Sequence, residues 1–459
     1  MDYTNKKILV YGCGKSGIGA AALLVKKGAC PFLYDENKDL DREKTASAVR
    51  EKSAAYFGPE NVITGELSED LLRTIDLAVL SPGIPLDIPA VERLRKAGIQ
   101  LTGEIELAYC MGQGTVYAIT GTNGKTTSVT LLGEIMKAAF PEVYVVGNIG
   151  NPYTDVAAEQ TASAVTVAEI SSFQLETTDT FHPHASAITN ITEDHLNRHH
   201  TMEEYIRVKE RITEKQDASD LCVLNYEDAV LRGFGEGLKC TVCWFSSARE
   251  LTDGLYYKDG GIYEAKDGKS ELLFETDKIH ILGRHNYENI MTAAAIALFA
   301  GVPAETVREV VYDFKGVEHR IEYVETIDGV EYYNDSKGTN PDAAIMAVNA
   351  MKGNMLLIAG GYDKQSGYGE LIENFRGRVR KLVLIGVTAP KIAAAARDGG
   401  FREEDIVMCG TLDKAVEYCK AEAQSGEAVL LSPACASWDQ FKSFEERGEI
   451  FKDLVRNAK

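Results

Sequence analysis

Eight residues, Thr120-Gly121-Thr122-Asn123-Gly124-Lys125-Thr126-Thr127, narrow the fold more than any other part of the chain. They follow the apolar run 116–120 and open the helical stretch 128–139. Glycines let backbone amides curl around phosphates, a helix N-terminus adds positive potential, a lysine reaches the terminal phosphates and a hydroxyl can ligate Mg²⁺. A full G-x-x-x-x-G-K-[ST] pattern would need glycine at position 119, which is Ile119, so this is the shorter G-x-x-G-K-T form with each chemical part retained. Strand, loop and helix together predict ATP binding through Gly121, Thr122, Asn123, Gly124, Lys125, Thr126 and Thr127. The loop alone does not separate ATP from GTP.

Around that loop, short β-branched runs ending in Gly, Ser, Asn or Asp alternate with helix-like segments. This is the pattern of α/β architecture with largely parallel sheets, whose ligands gather at the carboxyl ends of the strands. One series of strands falls at 8–11, 31–34 and 77–80, and a second at 116–120, 143–146, 164–168, 185–189 and 221–224. Hairpins follow between 240 and 282, with turn signals at Asp259-Gly260-Gly261 and Asp267-Gly268. After a helix at 286–300 and a linker near Lys315-Gly316, a third series runs through 355–358, 381–385 and 428–431. At 459 residues the chain has room for roughly three domains, expected at 1–103, 104–316 and 317–459.

Charge limits the partners. Lys and Arg number 49 against 69 Asp and Glu, and the formal charge of −20 opposes binding to nucleic acid or to an anionic membrane. An anionic ligand would need locally concentrated donors. No run approaches the ~20 apolar residues of a membrane span. The start leads directly into Ile8-Leu9-Val10-Tyr11 without the longer apolar stretch and cleavage site of a secretory signal. Nine scattered cysteines suit a reducing compartment better than a disulfide framework, so the cytoplasm is expected. Cys240-Thr241-Val242-Cys243 lacks the second pair of ligands that a structural zinc needs.

Near the start, Gly12-x-Gly14-x-x-Gly17 follows a strand and Asp35 ends the next one, 21 residues beyond Gly14. Taken alone this reads as a dinucleotide fingerprint and a dehydrogenase. In a chain with its own ATP loop, the same nest could instead hold the pyrophosphate of a nucleotide-linked substrate, or the glycines could serve packing.

Glu169 and the pair Asp194-His195 lie at or beyond the ends of strands in the loop's own series, where a parallel sheet brings them to the phosphate edge. Oxygen donors there suit Mg²⁺. A zinc site from His195, His199 and His200 lacks a nearby cysteine or fourth ligand, and His182, His184, His199 and His200 read as surface or loop residues. In the helix 201–213, Met202, Tyr205, Ile206, Val208 and Ile212 share an arc of about 160°. Lys209 falls inside that arc. It either snorkels to solvent or is held at the site with a lowered pKa and a special task.

Together these residues resemble the Mur ligase superfamily of ATP-dependent amide-forming enzymes, over essentially the whole chain. The shared pieces are the phosphate loop, Glu169, Asp194-His195, Gly283-Arg284-His285-Asn286 with Asn289, His319-Arg320, and the run from Asn334 to Pro341. Within the superfamily, Ser81-Pro82-Gly83-Ile84-Pro85, the run from Ser171 to Glu176 and the run from Leu431 to Gly448 resemble the D-glutamate-adding branch. Gly338 departs from the alanine more often expected there.

The resemblance implies three domains: a Rossmann-like N-terminal domain, a central P-loop mononucleotide-binding ATPase domain and a Rossmann-like C-terminal domain. It implies a monomeric cytoplasmic enzyme of peptidoglycan precursor synthesis whose partners are UDP-N-acetylmuramoyl-L-alanine, D-glutamate and ATP. Lys125, Glu169, His195 and Lys209 would be catalytic. Thr126 and Glu169 would hold one Mg²⁺ and His195 a second, with Lys209 carrying a CO2-derived carbamate on the metal side. Lys15, Ser16, Gly17, Asp35, Ser81, Gly83, Asn148 and His195 would bind the nucleotide sugar. Asn286, Asn289, Arg320 and Asp335 would contact ATP, and Lys337, Thr339, Lys364, Ser437 and Phe444 would form the D-glutamate pocket.

Overall fold

The computed structural model describes residues 2–281, 283–351, 353–363, 366–375 and 377–457, and every count below refers to these. They form three sheets. The first contains β1 (Lys7–Tyr11), β2 (Cys30–Asp35), β3 (Val62–Thr64), β4 (Leu77–Leu80) and β5 (Gln100–Gly103), in the all-parallel order β3-β2-β1-β4-β5. The second contains β6 (Thr115–Thr120), β7 (Val143–Gly147), β8 (Val165–Glu169), β9 (Ala185–Ile188), β10 (Leu221–Asn225), β11 (Thr241–Ser246), β12 (Gly254–Lys258), β13 (Gly261–Lys266) and β14 (Lys269–Glu275). Its order is β14-β13-β12-β11-β10-β9-β6-β8-β7, parallel from β7 to β12 and antiparallel over the last two strands.

The third sheet contains β15 (Glu322–Ile327), β16 (Val330–Asn334), β17 (Met355–Gly360), β18 (Val379–Ile385), β19 (Ile406–Gly410) and β20 (Ala428–Leu431), ordered β15-β16-β20-β17-β18-β19. Only β15 runs antiparallel to its neighbour. The chain divides into two compact units, Met1–Glu275 with Tyr287–Val311 and Thr276–Asn286 with Tyr312–Lys459. The first unit holds the first two sheets and the second unit holds the third.

Central strands such as β10 and β17 are buried at every residue, which is why they read as continuous apolar runs rather than alternating ones. The third sheet buries Leu357, Leu382 and Leu384 against the helices on one face and Ile358, Val383 and Leu431 on the other. Turns at Asp259-Gly260 and Asp267-Gly268 have positive φ at both residues, the geometry of a two-residue hairpin. Asp328-Gly329 joins β15 to β16 the same way, a hairpin signal the sequence reading passed over. Among the described residues no helix is long and apolar enough to cross a membrane.

Glu104 opens the helix Glu104–Met111 between the first and second sheets and is buried there. Its Oε1 accepts from Thr154 N and Oγ1, its Oε2 has no partner, and desolvation pushes its carboxyl up to about 7 from 4.5. Between those values the folded chain keeps a proton that the unfolded chain has released. Stability therefore falls as pH rises through that window, by roughly 3 kcal/mol for this group. Glu104→Gln is expected to raise the thermal midpoint at about pH 8 and leave it nearly unchanged below about pH 4.5. An equal difference at both pH values would contradict this account.

Candidate active site

The phosphate loop connects β6 to the helix Lys125–Ala139. Gly121 (φ 142) and Gly124 (φ 85) make the curl. A Cβ at either position would lie 1.9 Å from Thr189 Oγ1 or 2.2 Å from Asn289 Oδ1, so both are closed to any side chain. The segment after β9 holds the loop in shape. Asn190 Oδ1 accepts from Asn123 N at 2.9 Å, and Thr189 Oγ1 donates to Asn123 O at 2.6 Å. Thr122 Oγ1 lies 3.1 Å from Tyr205 Oη. Lys125 Nζ folds back and donates to the carbonyls of Gly121 and Thr122, each at 2.8 Å.

Glu169 is the last residue of β8, opposite Ile119 in the neighbouring strand, which brings it to the mouth of the loop. Only 1% of it is exposed. Asn148 Nδ2 donates to its Oε1 at 2.8 Å, while its Oε2 is buried without a partner, as is the neighbouring Thr120 Oγ1. An unsatisfied carboxylate oxygen in the interior is costly unless something positive meets it. With the Thr126 hydroxyl at the start of the helix, this set of hard oxygen donors fits Mg²⁺.

Lys209 does not snorkel. It is 2% exposed on the helix Met202–Glu210, and its Nζ donates to Gly121 O at 2.8 Å and lies 4.7 Å from the centre of the Tyr205 ring. Two lysines, Lys125 and Lys209, thus share one carbonyl of the phosphate loop. Burial, and secondarily the charge of Lys125, brings the Lys209 amine down to about 7, with Asp194 opposing.

His195 lies beyond β9 in a left-handed conformation (φ 53), its ring 4.9 Å from that of Phe173 and its Nε2 3.4 Å from Asp194 Oδ2. The reading of His199 as a surface or loop residue is corrected: it is 3% exposed, with Nε2 2.9 Å from Ser172 Oγ and its ring 5.3 Å from Tyr205. Its neighbours are a hydroxyl, Glu176 and aromatic rings, so it is satisfied inside the core. The sequence assigns no role to Phe173 or Asn190, since an aromatic or an amide in a loop carries no local sign of what it will touch.

In the first sheet, Lys15-Ser16-Gly17 open the helix that follows β1, Asp35 ends β2 and Ser81-Pro82-Gly83 follow β4, and these three strands are adjacent. A Cβ at Gly17 would lie 1.8 Å from Gly12 O, so the glycine is required by close backbone approach. Asp35 Oδ2 accepts from Cys13 N at 3.2 Å and Ser81 Oγ donates to Gly12 O at 3.3 Å, tying the three loops together. Arg198 joins this edge to the second sheet. Its Nη2 donates to Ile84 O at 2.8 Å and to Glu176 Oε2 at 2.5 Å, and its guanidinium stacks over Phe173 at 5.1 Å.

Asn286 and Asn289 are buried, three residues apart on the helix Arg284–Phe299, and Asn289 Oδ1 accepts from Ser128 Oγ at 3.4 Å. In the second unit, Asp335 is buried beyond β16, its Oδ2 accepting from Ser432 Oγ at 2.6 Å. Desolvation pushes it up to about 7. A Cβ on Gly338 would meet Asp335 Oδ2 at 2.4 Å, so the glycine at this position makes room for that carboxyl. Arg320 and Lys337 are exposed, Ser437 is buried, and Thr339 and Phe444 are half-buried. Lys364 lies outside the described residues. One further cluster of acids and histidine, Glu318, His319 and Glu449, surrounds the ammonium of Lys452, which lies 2.6 Å from Glu318 and 2.8 Å from Glu449.

Comparison with known proteins gives matches along nearly the whole chain. Family models described as Mur ligase MurD-like, N-terminal domain, as Mur ligase middle domain and as Mur ligase, glutamate ligase domain match residues 6–103, 119–297 and 319–435. The chain is 50% identical over 459 residues to the UDP-N-acetylmuramoylalanine--D-glutamate ligase of Lachnoclostridium phytofermentans, with 100% of each covered. It is 43% identical over 466 residues to the protein of the same name from Clostridioides difficile, again with 100% of each covered. Among solved structures it resembles in fold the UDP-N-acetylmuramate-alanine ligase of Thermotoga maritima, at 17% identity and a TM-score of 0.58, covering 99% of this chain and 100% of that one.

Proposed function

The chain belongs to the Mur ligase family, and from that premise we propose that it is the ATP-dependent ligase that joins D-glutamate to UDP-N-acetylmuramoyl-L-alanine. The carboxylate of the nucleotide sugar attacks the γ-phosphate of ATP, releasing ADP and leaving an acyl phosphate. The amine of D-glutamate then adds to the acyl carbon, and the tetrahedral intermediate collapses with loss of phosphate and a proton. The product is an amide of a cytoplasmic peptidoglycan precursor.

One observation carries the chemistry: the buried, unpartnered Oε2 of Glu169 at the mouth of a curled phosphate loop. Two anions must meet in the first step, and residues of this chain lower that repulsion. Backbone amides of Gly121 to Thr127 and the ammonium of Lys125 take up phosphate charge. Thr126 and Glu169 would hold one Mg²⁺, and His195 with a carbamate on Lys209 would serve a second. Bound there, the ions supply charge neutralisation for phosphoryl transfer. Lys209 favours carbamylation because an amine brought down to about 7 is near half in the neutral form that takes up CO2. Asn148, bonded to Glu169, would meet the muramoyl end of the substrate.

The three sheets divide the substrates, with domain borders near 103 and 316. Lys15, Ser16, Gly17, Asp35, Ser81 and Gly83 hold the uridine diphosphate, and His195 reaches the reacting end. Asn286 and Asn289 meet adenine, while Arg320 and Asp335 bind ATP from the third domain. Lys337, Thr339, Lys364, Ser437 and Phe444 receive D-glutamate, whose two acids need cations or hydroxyl donors. The enzyme acts as a monomer in the cytoplasm.

The test is phosphate release with ATP, Mg²⁺, UDP-N-acetylmuramoyl-L-alanine and a panel of amino acids. D-Glutamate is expected to exceed every other amino acid by at least about a hundredfold, as a pocket built for two carboxylates demands. Release with another amino acid and none with D-glutamate would overturn the assignment. Tight NAD binding at Gly12 to Gly17 without any ADP formation would return the dehydrogenase reading.

A further inference from the structure

Residues 318–322 lead into β15 through a strained stretch of backbone. His319 has φ 63 and Ile321 has φ 45, one on either side of Arg320. The left-handed region is disfavoured for any side chain, and most of all for a β-branched one such as Ile321. Arg320 N donates to Val317 O at 2.9 Å, so the chain turns back on itself in a tight arch that leaves Arg320 exposed at its crest. Strain of this kind persists only where the surroundings over-determine it, and it gathers at ligand clamps.

The surroundings hold this arch from several sides. Lys337 N donates to His319 O at 2.9 Å, Ile321 N to Asp335 Oδ1 at 3.3 Å and His319 N to Glu322 Oε2 at 2.9 Å. Asn334 Nδ2 donates to the same Glu322 oxygen at 3.0 Å. Lys452, on the helix Phe444–Arg456, closes the base: its Nζ lies 2.6 Å from Glu318 Oε1, 3.4 Å from Glu322 Oε1 and 2.8 Å from Glu449 Oε1. The lysine side chain is buried and that of Glu322 nearly so, which keeps water from screening this pair. Glu318 and Glu322 are the two feet of the arch, and without a cation between them their like charges drive the feet apart. The same helix admits the His319 ring through a glycine, since a Cβ on Gly448 would lie 2.2 Å from His319 Nδ1.

We propose that Lys452 is a positioning residue for ATP: it pins the feet of the arch, and the pinned arch holds the Arg320 guanidinium at one place and angle for the phosphates. This rests on the assignment of Arg320 to ATP made above. Lys452 touches no substrate and acts through Arg320. Its effect belongs to ATP and not to the nucleotide sugar, whose assigned residues lie in the first unit.

The experiment is three-substrate kinetics, with thermal melts, on Lys452→Met, Lys452→Arg, Ile321→Gly, Arg320→Ala and the double variant Lys452→Met with Arg320→Ala. Arg320→Ala is expected to raise KM for ATP about fiftyfold and Lys452→Met about twentyfold, with KM for the nucleotide sugar and for D-glutamate within about threefold of the original. Lys452→Arg keeps a cation between the feet and stays within about fourfold of the original. Ile321→Gly leaves every ion pair in place but frees the backbone, and raises KM for ATP about fivefold. Because Lys452 acts through Arg320, the double variant keeps the KM for ATP of Arg320→Ala within about twofold. The proposal fails if the three KM values rise in parallel, if Lys452→Met raises KM for ATP as steeply beside Arg320→Ala as in the original protein, or if Ile321→Gly leaves it unchanged. An unaltered KM for ATP in Arg320→Ala overturns the assignment of Arg320 and the inference with it, whereas a raised one there beside an unaltered one in Lys452→Met sinks the inference alone.

Discussion

Lys209→Ala is expected to lower kcat for ligation by at least about a thousandfold, and millimolar acetate or propionate to restore a measurable part of it. The argument begins with the position of the amine, enclosed beside the phosphate loop and bonded to Gly121 O. Brought down to about 7, it is near half neutral at physiological pH, whereas a solvated lysine is neutral roughly once in three thousand molecules. On the proposed reading the neutral amine adds CO2 and releases a proton, becoming a carbamate with one negative charge. A cation that repels Lys125 is thereby exchanged for an anion that attracts it and offers oxygen to metal. Removing the side chain leaves a space into which a small carboxylate can bring the same oxygens, whereas small amines or chlorides cannot. Full activity of Lys209→Ala, or rescue by methylamine in place of acetate, would sink the carbamate. Enzyme in ¹³C-labelled bicarbonate should also show a carbonyl signal that Lys209→Ala lacks.

Glu169→Gln separates function from stability by moving them in opposite directions. Turnover is expected to fall by about a hundredfold to a thousandfold, because a neutral amide is a poor ligand for a hard divalent cation. The ligand-free protein should become more stable, since the substitution takes a carboxylate with an unpartnered buried oxygen out of the interior and keeps an acceptor for Asn148. The gain expected is about 1 kcal/mol. The rise in thermal midpoint that Mg²⁺ and nucleotide confer on the original protein should shrink in the variant by the lost binding energy. A variant that melts lower and turns over normally would mean that Glu169 serves the fold alone.

The parts legible in the sequence are those whose signal is local. The phosphate loop, the strands before it and the hairpin turns at Asp259-Gly260 and Asp267-Gly268 each declare themselves within about ten residues. The helical wheel put Lys209 among apolar neighbours, yet only the packed structure shows whether such a lysine reaches solvent. The same device puts Arg447 on a buried stripe with Phe451 and Val455. What the wheel could not supply is its partner Ser336, which is 111 residues away along the chain. Phe173 against His195 and Asn190 against Asn123 are likewise products of chain crossing, since the residue types alone admit many neighbours.

Arg198 has a consequence for how the proposed substrate is used. Its bonds to Ile84 O and Glu176 and its stacking on Phe173 run from the loop assigned to the uridine nucleotide to the ring against which His195 rests. Affinity gathered at the uridine end, far from any bond that changes, can therefore be spent on aligning the lactyl-alanyl carboxylate at the other. Such remote affinity raises the rate of the chemical step and not merely the occupancy of the enzyme. The nucleotide is then less a handle for the sugar than a lever on the reaction.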